Sequence, residues 1–154
     1  MQKKASHYSI KGPIDYLVQR SIQLFGIDLV SIVLFGSHAR NNYNKYSDFD
    51  VIIVLNKEID YNISKLRKNF LLRFKKRLDL QIFSRDDVIN NFDDFSPLFS
   101  TLLIGKRILF DKDMFFKEKF EDFVKKSVTI NVKYCEGNTI WEIQTIAKNL
   151  EISH

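Results

Sequence analysis

The amino-acid sequence predicts an α/β (α+β) fold, in which helices flank a mixed β-sheet core and the C-terminal third is helical. Two short, almost wholly apolar runs, Leu29–Phe35 and Phe49–Leu55, have the length and β-branched content of buried strands. A third run, Leu78–Phe83, alternates apolar and polar residues, as a strand with one more exposed face does. Helix-period segments separate these runs, and this alternation is typical of layered α/β proteins.

The elements of the first half follow in order along the chain. Residues Ile14–Phe25 form an amphipathic helical pattern that Gly26 is expected to end. The first strand breaks sharply at Gly36, and a short helix is expected over His38–Tyr43. After the second strand, Ile63–Arg77 carries an apolar stripe at helical spacing, which predicts a helix packed on the sheet.

The second half reads as mostly helical. Helical pieces interrupted at Pro97 are expected over Asp86–Leu103, followed by a short strand at Arg107–Phe110. A long helix over Met114–Tyr134 and a final helix over Thr139–Leu150 are predicted beyond it.

Length and composition predict a single folded domain. The chain has 154 residues, of which 45% are hydrophobic and 28% charged, a balance that excludes a disordered protein. We expect one domain over residues 1–154, with a core over about 14–111 and a helical extension over about 112–154.

The cysteine content, the polar start and the net charge indicate the compartment and the kinds of ligand to expect. Cys135 is the only cysteine, so no intrachain disulfide can form. The start, Met1–His7, is polar, and no apolar stretch approaches the ~20 residues of a membrane helix. A cytoplasmic protein without membrane contact is therefore expected. The net charge of +5 is compatible with nucleotides, RNA or an acidic partner, or with a lysine-rich surface that serves solubility alone.

Three carboxylates carry the chemistry that the sequence suggests. Asp48 and Asp50 begin the second strand, where residues two apart point to the same face. Beside so apolar a strand they would repel each other and resist burial, and a divalent cation such as Mg²⁺ resolves that conflict. If the third strand lies beside the second, Asp79 can join them, and three carboxylates can hold two metals for displacement at phosphorus. Asp79 could also accept the proton of an attacking hydroxyl.

The Gly36-Ser37 turn is a candidate phosphate site. Glycine permits close backbone approach, a strand-to-helix turn exposes N–H groups, and Ser37 is expected to cap the helix. Arg40 stands about one helical turn later and could pair with a terminal phosphate, while Ser47 could orient the loop before Asp48. Each feature alone has an ordinary structural explanation as a turn, a cap or an exposed charge. Their combination does not.

These residues resemble a known family. The segments L-F-G-S-H-A-R at residues 34–40 and S-D-F-D-V at residues 47–51 are similar to the minimal nucleotidyltransferases of the DNA polymerase β-like superfamily. The resemblance is specific over about residues 29–83 and vaguer over 97–111. It implies that Gly36 and Ser37, with Arg40, hold nucleotide phosphates. It further implies that Asp48, Asp50 and Asp79 are the metal-binding catalytic triad, and that ATP is the substrate.

The acceptor is left open by the sequence. Small proteins of this kind resemble antitoxins that adenylylate a HEPN-type ribonuclease toxin, and the histidines, His7, His38 and His154, form no Arg-x4–6-His motif of such a toxin. A toxin would therefore be a separate chain. The alternatives are a small-molecule, antibiotic-type nucleotidyltransferase and a non-catalytic module that binds a nucleotide or partner. Transfer to RNA is permitted by the charge but not favoured, because no RNA-binding segment is evident.

Overall fold

The computed structural model describes residues 10–57, 61–131, 133–136 and 139–152 of the chain. The polar start Met1–His7 lies outside these residues. A four-stranded sheet and a separate two-stranded hairpin organise the described part. The strands are β1 Leu29–Phe35, β2 Phe49–Leu55, β3 Leu78–Ser84, β4 Arg107–Asp111, β5 Lys133–Glu136 and β6 Thr139–Glu142.

Helices cover the sheet and make up most of the remaining described residues. They are α1 Pro13–Phe25, α2 Gly36–Ala39, α3 Ile63–Phe74, α4 Arg85–Asp93, α5 Pro97–Thr101, α6 Phe115–Ser127 and α7 Ile143–Ile152, with 3₁₀ turns at Gly26–Asp28 and Lys112–Met114. The expected mixed sheet with flanking helices is thereby confirmed. None of the helices described is long and apolar enough to cross a membrane.

The strand order of the larger sheet is β3-β2-β1-β4. Strand β1 is antiparallel to both β2 and β4, and β2 is parallel to β3. As a result, the end of β1 and the starts of the other three strands meet at one end of the sheet. We call this the site end, because every candidate residue of the sequence analysis lies there.

Each face of the sheet has its own apolar core. On one face, α1 and α3 pack around side chains such as Leu17, Ile32 and Phe70, all of which have 0% exposed surface. On the other face, α4, α5 and α6 contribute a cluster of phenylalanines that includes Phe99 and Phe116, and α7 adds Ile143 and Ala147. Burying one such side chain stabilises the fold by roughly 2–3 kcal/mol, so the two layers fix the strands on which the site is built.

The C-terminal part departs from the expectation of continuous helix. The helix expected over Met114–Tyr134 ends at Ser127, and the residues expected to begin the final helix at Thr139 form strand β6, which pairs with β5. The run from Val128 to Ile130 is rich in β-branched residues, which favour strands over helices. The Gly-Asn sequence between the two strands is also a hairpin signal. Helix α3 likewise ends early, at Phe74, because Lys75 adopts a left-handed backbone conformation with φ 56°.

Candidate active site

The structure brings the backbones of the three candidate carboxylates to neighbouring positions. Asp48 directly precedes β2 and Asp50 is its second residue. The parallel register places Asp79 of β3 directly beside Asp50, so these two side chains project from the same face of the sheet. Asp50 is half-buried and Asp79 is exposed. The expectation that the third strand lies beside the second is therefore confirmed.

The environment of Asp50 alters the acidity of its carboxyl group. Burial, together with the negative charges of Asp79 and Asp48, raises the pKa of Asp50 to about 6, and the positive charge of Arg40 opposes the rise. A raised pKa means that the protein alone favours the protonated form of this carboxyl. A cation bound beside it would favour the ionised form instead.

Gly36 touches this carboxylate. Its φ of 68° lies in the left-handed region that disfavours other residues. A Cβ at this position would lie 3.1 Å from Cγ of Asp50 and would overlap its Oδ2 atom. Glycine is therefore required twice here, by its backbone angle and by the close approach of Asp50.

The short helix after Gly36 differs from the expectation for Ser37. Helix α2 begins at Gly36 rather than His38, and no side chain caps its N-terminus, so Ser37 is a residue of the first turn and not the N-cap. Arg40 ends the helix, and its N–H donates to the carbonyl of Gly36 at 3.2 Å. The structure thus places Gly36, Ser37 and Arg40 in one turn beside Asp50.

Gly105 is a site residue that sequence reasoning missed. A Cβ at this position would lie 2.8 Å from Cγ of Arg40, so the absence of a side chain leaves room for the arginine. Arg40 passes over this glycine close enough to Asp50 to influence its charge. The only sequence signal is a glycine placed just before strand β4.

His38 is a second residue to which the sequence assigned no role. Its ring is 8% exposed and stacks on Phe49 at 3.8 Å and on Tyr43 at 4.4 Å between ring centres. Its Nε2–H donates to the carbonyl of Ser47, the residue before Asp48, at 3.3 Å. Burial, aided by the positive charge of Lys76, lowers the pKa of His38, against the opposing effect of the Ser47 bond. A neutral ring therefore holds the loop that leads to Asp48.

Other bonds fix the same loop. The backbone N–H of Asn44 donates to Oγ of Ser47 at 3.0 Å, and the Lys76 ammonium donates to the carbonyl of Lys45. Ser47 thus orders the loop before Asp48, as the sequence suggested. The carboxylates stand at the end of a segment whose position is fixed by both the histidine and the lysine.

The chemistry of the site suits a hard divalent cation. Its anionic groups are carboxylates, whose oxygens are the ligands that Mg²⁺ prefers. Burial, together with the charges of Asp79 and Asp48, raises the pKa of Asp50 and so disfavours its ionised form when no cation is bound. Within the part of the chain that the structure describes, no three Asp, Glu, His or Cys side chains stand in ligating positions together. Asp79 instead lies 3.5 Å from the amide nitrogen of Gln81. The shared metal site stays a prediction.

The chain is similar to known proteins in sequence. The model of the nucleotidyltransferase domain family matches residues 14–135. The chain is 32% identical over 139 residues to the putative protein adenylyltransferase of Methanocaldococcus jannaschii, and the match covers 84% of this chain and 91% of that protein.

Solved structures share the fold. A chain of a toxin–antitoxin crystal structure with AMP-PNP superposes with a TM-score of 0.52 and 16% identity, over 73% of this chain and 85% of that chain. A chain of a mutant MntA-HpeT toxin–antitoxin complex superposes with a TM-score of 0.50 and 14% identity, over 71% and 83% of the two chains. At these identities the likeness concerns the fold alone.

Proposed function

Because the chain belongs to the nucleotidyltransferase domain family and is a nucleotidyltransferase, we propose that it transfers AMP from ATP, with Mg²⁺, to a hydroxyl of a partner protein. The observation that carries the proposal is the contact of the Gly36 turn with the Asp50 carboxylate, beside Asp48 and Asp79. This arrangement joins a phosphate-binding turn to an anionic cluster. We further propose the cytoplasm, where ATP is made and used, as the compartment.

The proposed roles follow from these positions. Asp48 and Asp50 bind Mg²⁺, with Asp79 as the third carboxylate of a two-metal site. When bound, the metal ions neutralise charge that develops on the attacking and leaving oxygens. Gly36 and Ser37 hold the nucleotide phosphates with backbone N–H groups and a hydroxyl, and Arg40 binds the outer phosphates.

Asp79 also has a role in proton transfer. Its carboxylate is exposed and stands beside Asp50 in the register, so an acceptor hydroxyl can reach it from solvent. The acceptor oxygen attacks the α-phosphorus, Asp79 takes the hydroxyl proton, and pyrophosphate leaves with the electrons of the broken P–O bond.

A partner protein is favoured as the acceptor by the relative that bears the name of a protein adenylyltransferase. We propose that this partner is a HEPN-type toxin on a separate chain, so that the protein acts as its antitoxin. The fold shared with chains of toxin–antitoxin complexes is consistent with that assignment. Identification of the labelled partner as a HEPN-type toxin would establish the antitoxin role.

The test uses ATP labelled at the α-phosphorus, with Mg²⁺, the purified protein and an extract of the source cells. The control is the Asp48→Ala/Asp50→Ala variant. We expect label on one protein band with the intact chain and none with the variant, and mass spectrometry of that band identifies the partner. Pyrophosphate release without labelled protein would replace the partner with a small-molecule acceptor. Neither label nor pyrophosphate with any of the four nucleotides would leave only a binding module.

A further inference from the structure

A cleft of about 630 Å³ opens beside the candidate carboxylates, at the outer edge of β3. Its described lining residues are Asp48, Arg67, Lys68, Leu71, Arg77, Leu78 and Asp79. Two candidate catalytic carboxylates thus stand in the same cleft as three cations. The cations come from α3 and from the turn that joins α3 to β3.

The order of the strands indicates which reactant this cleft receives. Gly36 directly follows β1 and Asp79 lies on β3, so the two residues stand on opposite sides of β2 and Asp50. Displacement at phosphorus places the attacking and leaving oxygens roughly in line, on opposite sides of the phosphorus. If the phosphates lie at Gly36, as the proposed function requires, the acceptor hydroxyl enters from the β3 side, through the cleft.

The cations of the cleft are available to a ligand. The ion pairs within the described residues join Lys117 to Glu121 and Lys126 to Asp93, and none includes a cation of the cleft. One nitrogen of Arg67 donates to the carbonyl of Leu80 at 3.1 Å, which holds the guanidinium at the strand edge. All three cationic side chains are exposed.

The remaining lining distinguishes a protein acceptor from a nucleic acid. Leu71, which is 46% exposed, and the buried Leu78 supply apolar surface, and no aromatic ring is among the described lining residues. Proteins that bind single strands stack bases on aromatic rings. A protein segment that combines acidic and apolar side chains matches the cations and leucines instead.

We propose that this cleft is the acceptor site and that it selects a hydroxyl residue flanked by acidic side chains on the partner protein. The inference rests on the proposed function for its direction, since the position of the phosphates sets the side of entry. The carboxylates of the lining take part in catalysis under the proposed function, and the cations of the lining attract the acidic segment.

The test measures binding with a fluorescent peptide that has one tyrosine among four glutamates and two leucines. Its matched control replaces the glutamates with glutamines, and an oligouridylate is the nucleic-acid probe. Fluorescence anisotropy is measured with Mg²⁺ and a non-hydrolysable ATP analogue. The proteins are the wild type, Lys68→Glu/Arg77→Glu, the neutral Lys68→Gln/Arg77→Gln, and Lys65→Glu on the same helix but outside the cleft.

We expect the acidic peptide to bind about tenfold more tightly than its glutamine counterpart. Charge reversal in the cleft should remove that advantage, neutralisation should remove part of it, and Lys65→Glu should change affinity less than about twofold. Equal binding of the two peptides, or an equal loss with Lys65→Glu, overturns the inference. Tighter binding of oligouridylate with the same dependence on Lys68 and Arg77 overturns it in favour of a nucleic acid.

A parallel assay separates this inference from the proposed function. Pyrophosphate release from ATP is measured on the same proteins, with Mg²⁺ and an extract of the source cells that supplies the acceptor. Its absence in the wild type contradicts the proposed transferase reaction, while the peptide affinities still decide whether the cleft selects acidic segments.

Discussion

The two ends of strand β1 carry carboxylates in opposite circumstances. At its start, Ser31 is paired with Asp111 of β4, and at its end, Phe35 is paired with Asp50 of β2. Asp111 accepts hydrogen bonds from the Ser31 hydroxyl at 2.7 Å and from the backbone N–H groups of Phe116 and Lys117, both at 2.9 Å. Asp50 has instead two carboxylate neighbours and a glycine turn against it.

The difference separates stability from function in one sheet. The carboxylate of Asp111 accepts three hydrogen bonds from the protein, and two of them tie α6 to the sheet. The carboxylate of Asp50 is half-buried beside the negative charges of Asp79 and Asp48, which Arg40 offsets only in part. If the proposed cation binds there, we expect it to stabilise the folded chain. We therefore expect the site end to be less stable on its own than the opposite end of β1, and to gain stability when it binds the proposed cation. The following changes test that contrast.

The largest effect is expected from removing charge at the site end. Asp48→Asn together with Asp50→Asn should lower the rate of AMP transfer by at least about 10³-fold, equivalent to about 4 kcal/mol, since the cation loses two ligands. The labelled-ATP assay measures it. Asp79→Asn should lower transfer by about 10²-fold or more yet leave ATP binding measurable, because its proposed role includes taking the proton. Retention of transfer in either variant would exclude these residues from catalysis.

Gly36→Ala is the next largest change. The new Cβ meets the Asp50 carboxylate and the backbone angle is unfavourable, so we expect transfer to fall by about 100-fold and the free energy of unfolding by about 2 kcal/mol. Gly26→Ala is the matched control, because Gly26 has a φ of 56° but no atom within 4 Å of its Cβ position. It should lose about 1 kcal/mol of stability and no activity. Similar losses of activity in both variants would refute a specific contact with Asp50.

At the other end of β1, Asp111→Ala should lower stability and leave the rate of transfer almost unchanged. It leaves the Ser31 hydroxyl and two backbone N–H groups of α6 without their acceptor, which is expected to lower the free energy of unfolding by roughly 2–3 kcal/mol. Urea denaturation measures the loss. The rate of transfer per folded molecule should stay within about twofold of the wild type, because Asp111 lies at the end of the sheet away from the site. A large loss of transfer would mean that the two ends are coupled.

Features set by local sequence could be predicted for this chain, whereas features set by contacts between distant residues could not. The apolar strands and the D-x-D pattern follow from local composition and period-2 alternation, so β1 to β4 and the adjacency of Asp50 to Asp79 were within reach. Gly105 and Asp111 were not, because their importance depends on contacts with Arg40 and with Ser31 and α6, which are distant in sequence. The β5–β6 hairpin replaces helix that the sequence predicts, because residues 128–142 combine helical apolar spacing with β-branched residues, and in the folded chain the strand propensity outweighs the spacing.

A smaller effect concerns pH in solution without divalent cations. Burial and neighbouring carboxylates raise the pKa of Asp50 from 3.8 to about 6, so the folded protein keeps this proton after the unfolded chain has lost it. Stability from this group is therefore present at low pH and is lost as pH rises from about 4 to 6. After allowance for solvent screening, Asp50→Asn should be more stable than the wild type by roughly 1 kcal/mol at pH 8 and equal to it near pH 4.

Urea denaturation at the two pH values, with a chelator present, measures this difference. Mg²⁺ added at pH 8 should then stabilise the wild type more than Asp50→Asn, because binding a cation removes the repulsion. Equal stability of the two proteins at pH 8 would show that ionisation of Asp50 does not destabilise the folded chain.

The smallest expected effect tests whether His38 acts on Asp48 through the loop. His38→Phe can keep the stacking on Phe49 and Tyr43 but removes the Nε2–H that donates to Ser47, whereas His38→Gln can keep a donor and loses the stacking. If the hydrogen bond positions Asp48, His38→Phe should lower transfer about threefold to tenfold and raise the Mg²⁺ concentration needed for half-maximal rate. His38→Gln should instead lose roughly 1 kcal/mol of stability, with the Mg²⁺ requirement closer to that of the wild type. A purely structural histidine would produce two variants that differ in stability but share one Mg²⁺ dependence, since nothing would then connect the ring to the carboxylate that follows Ser47.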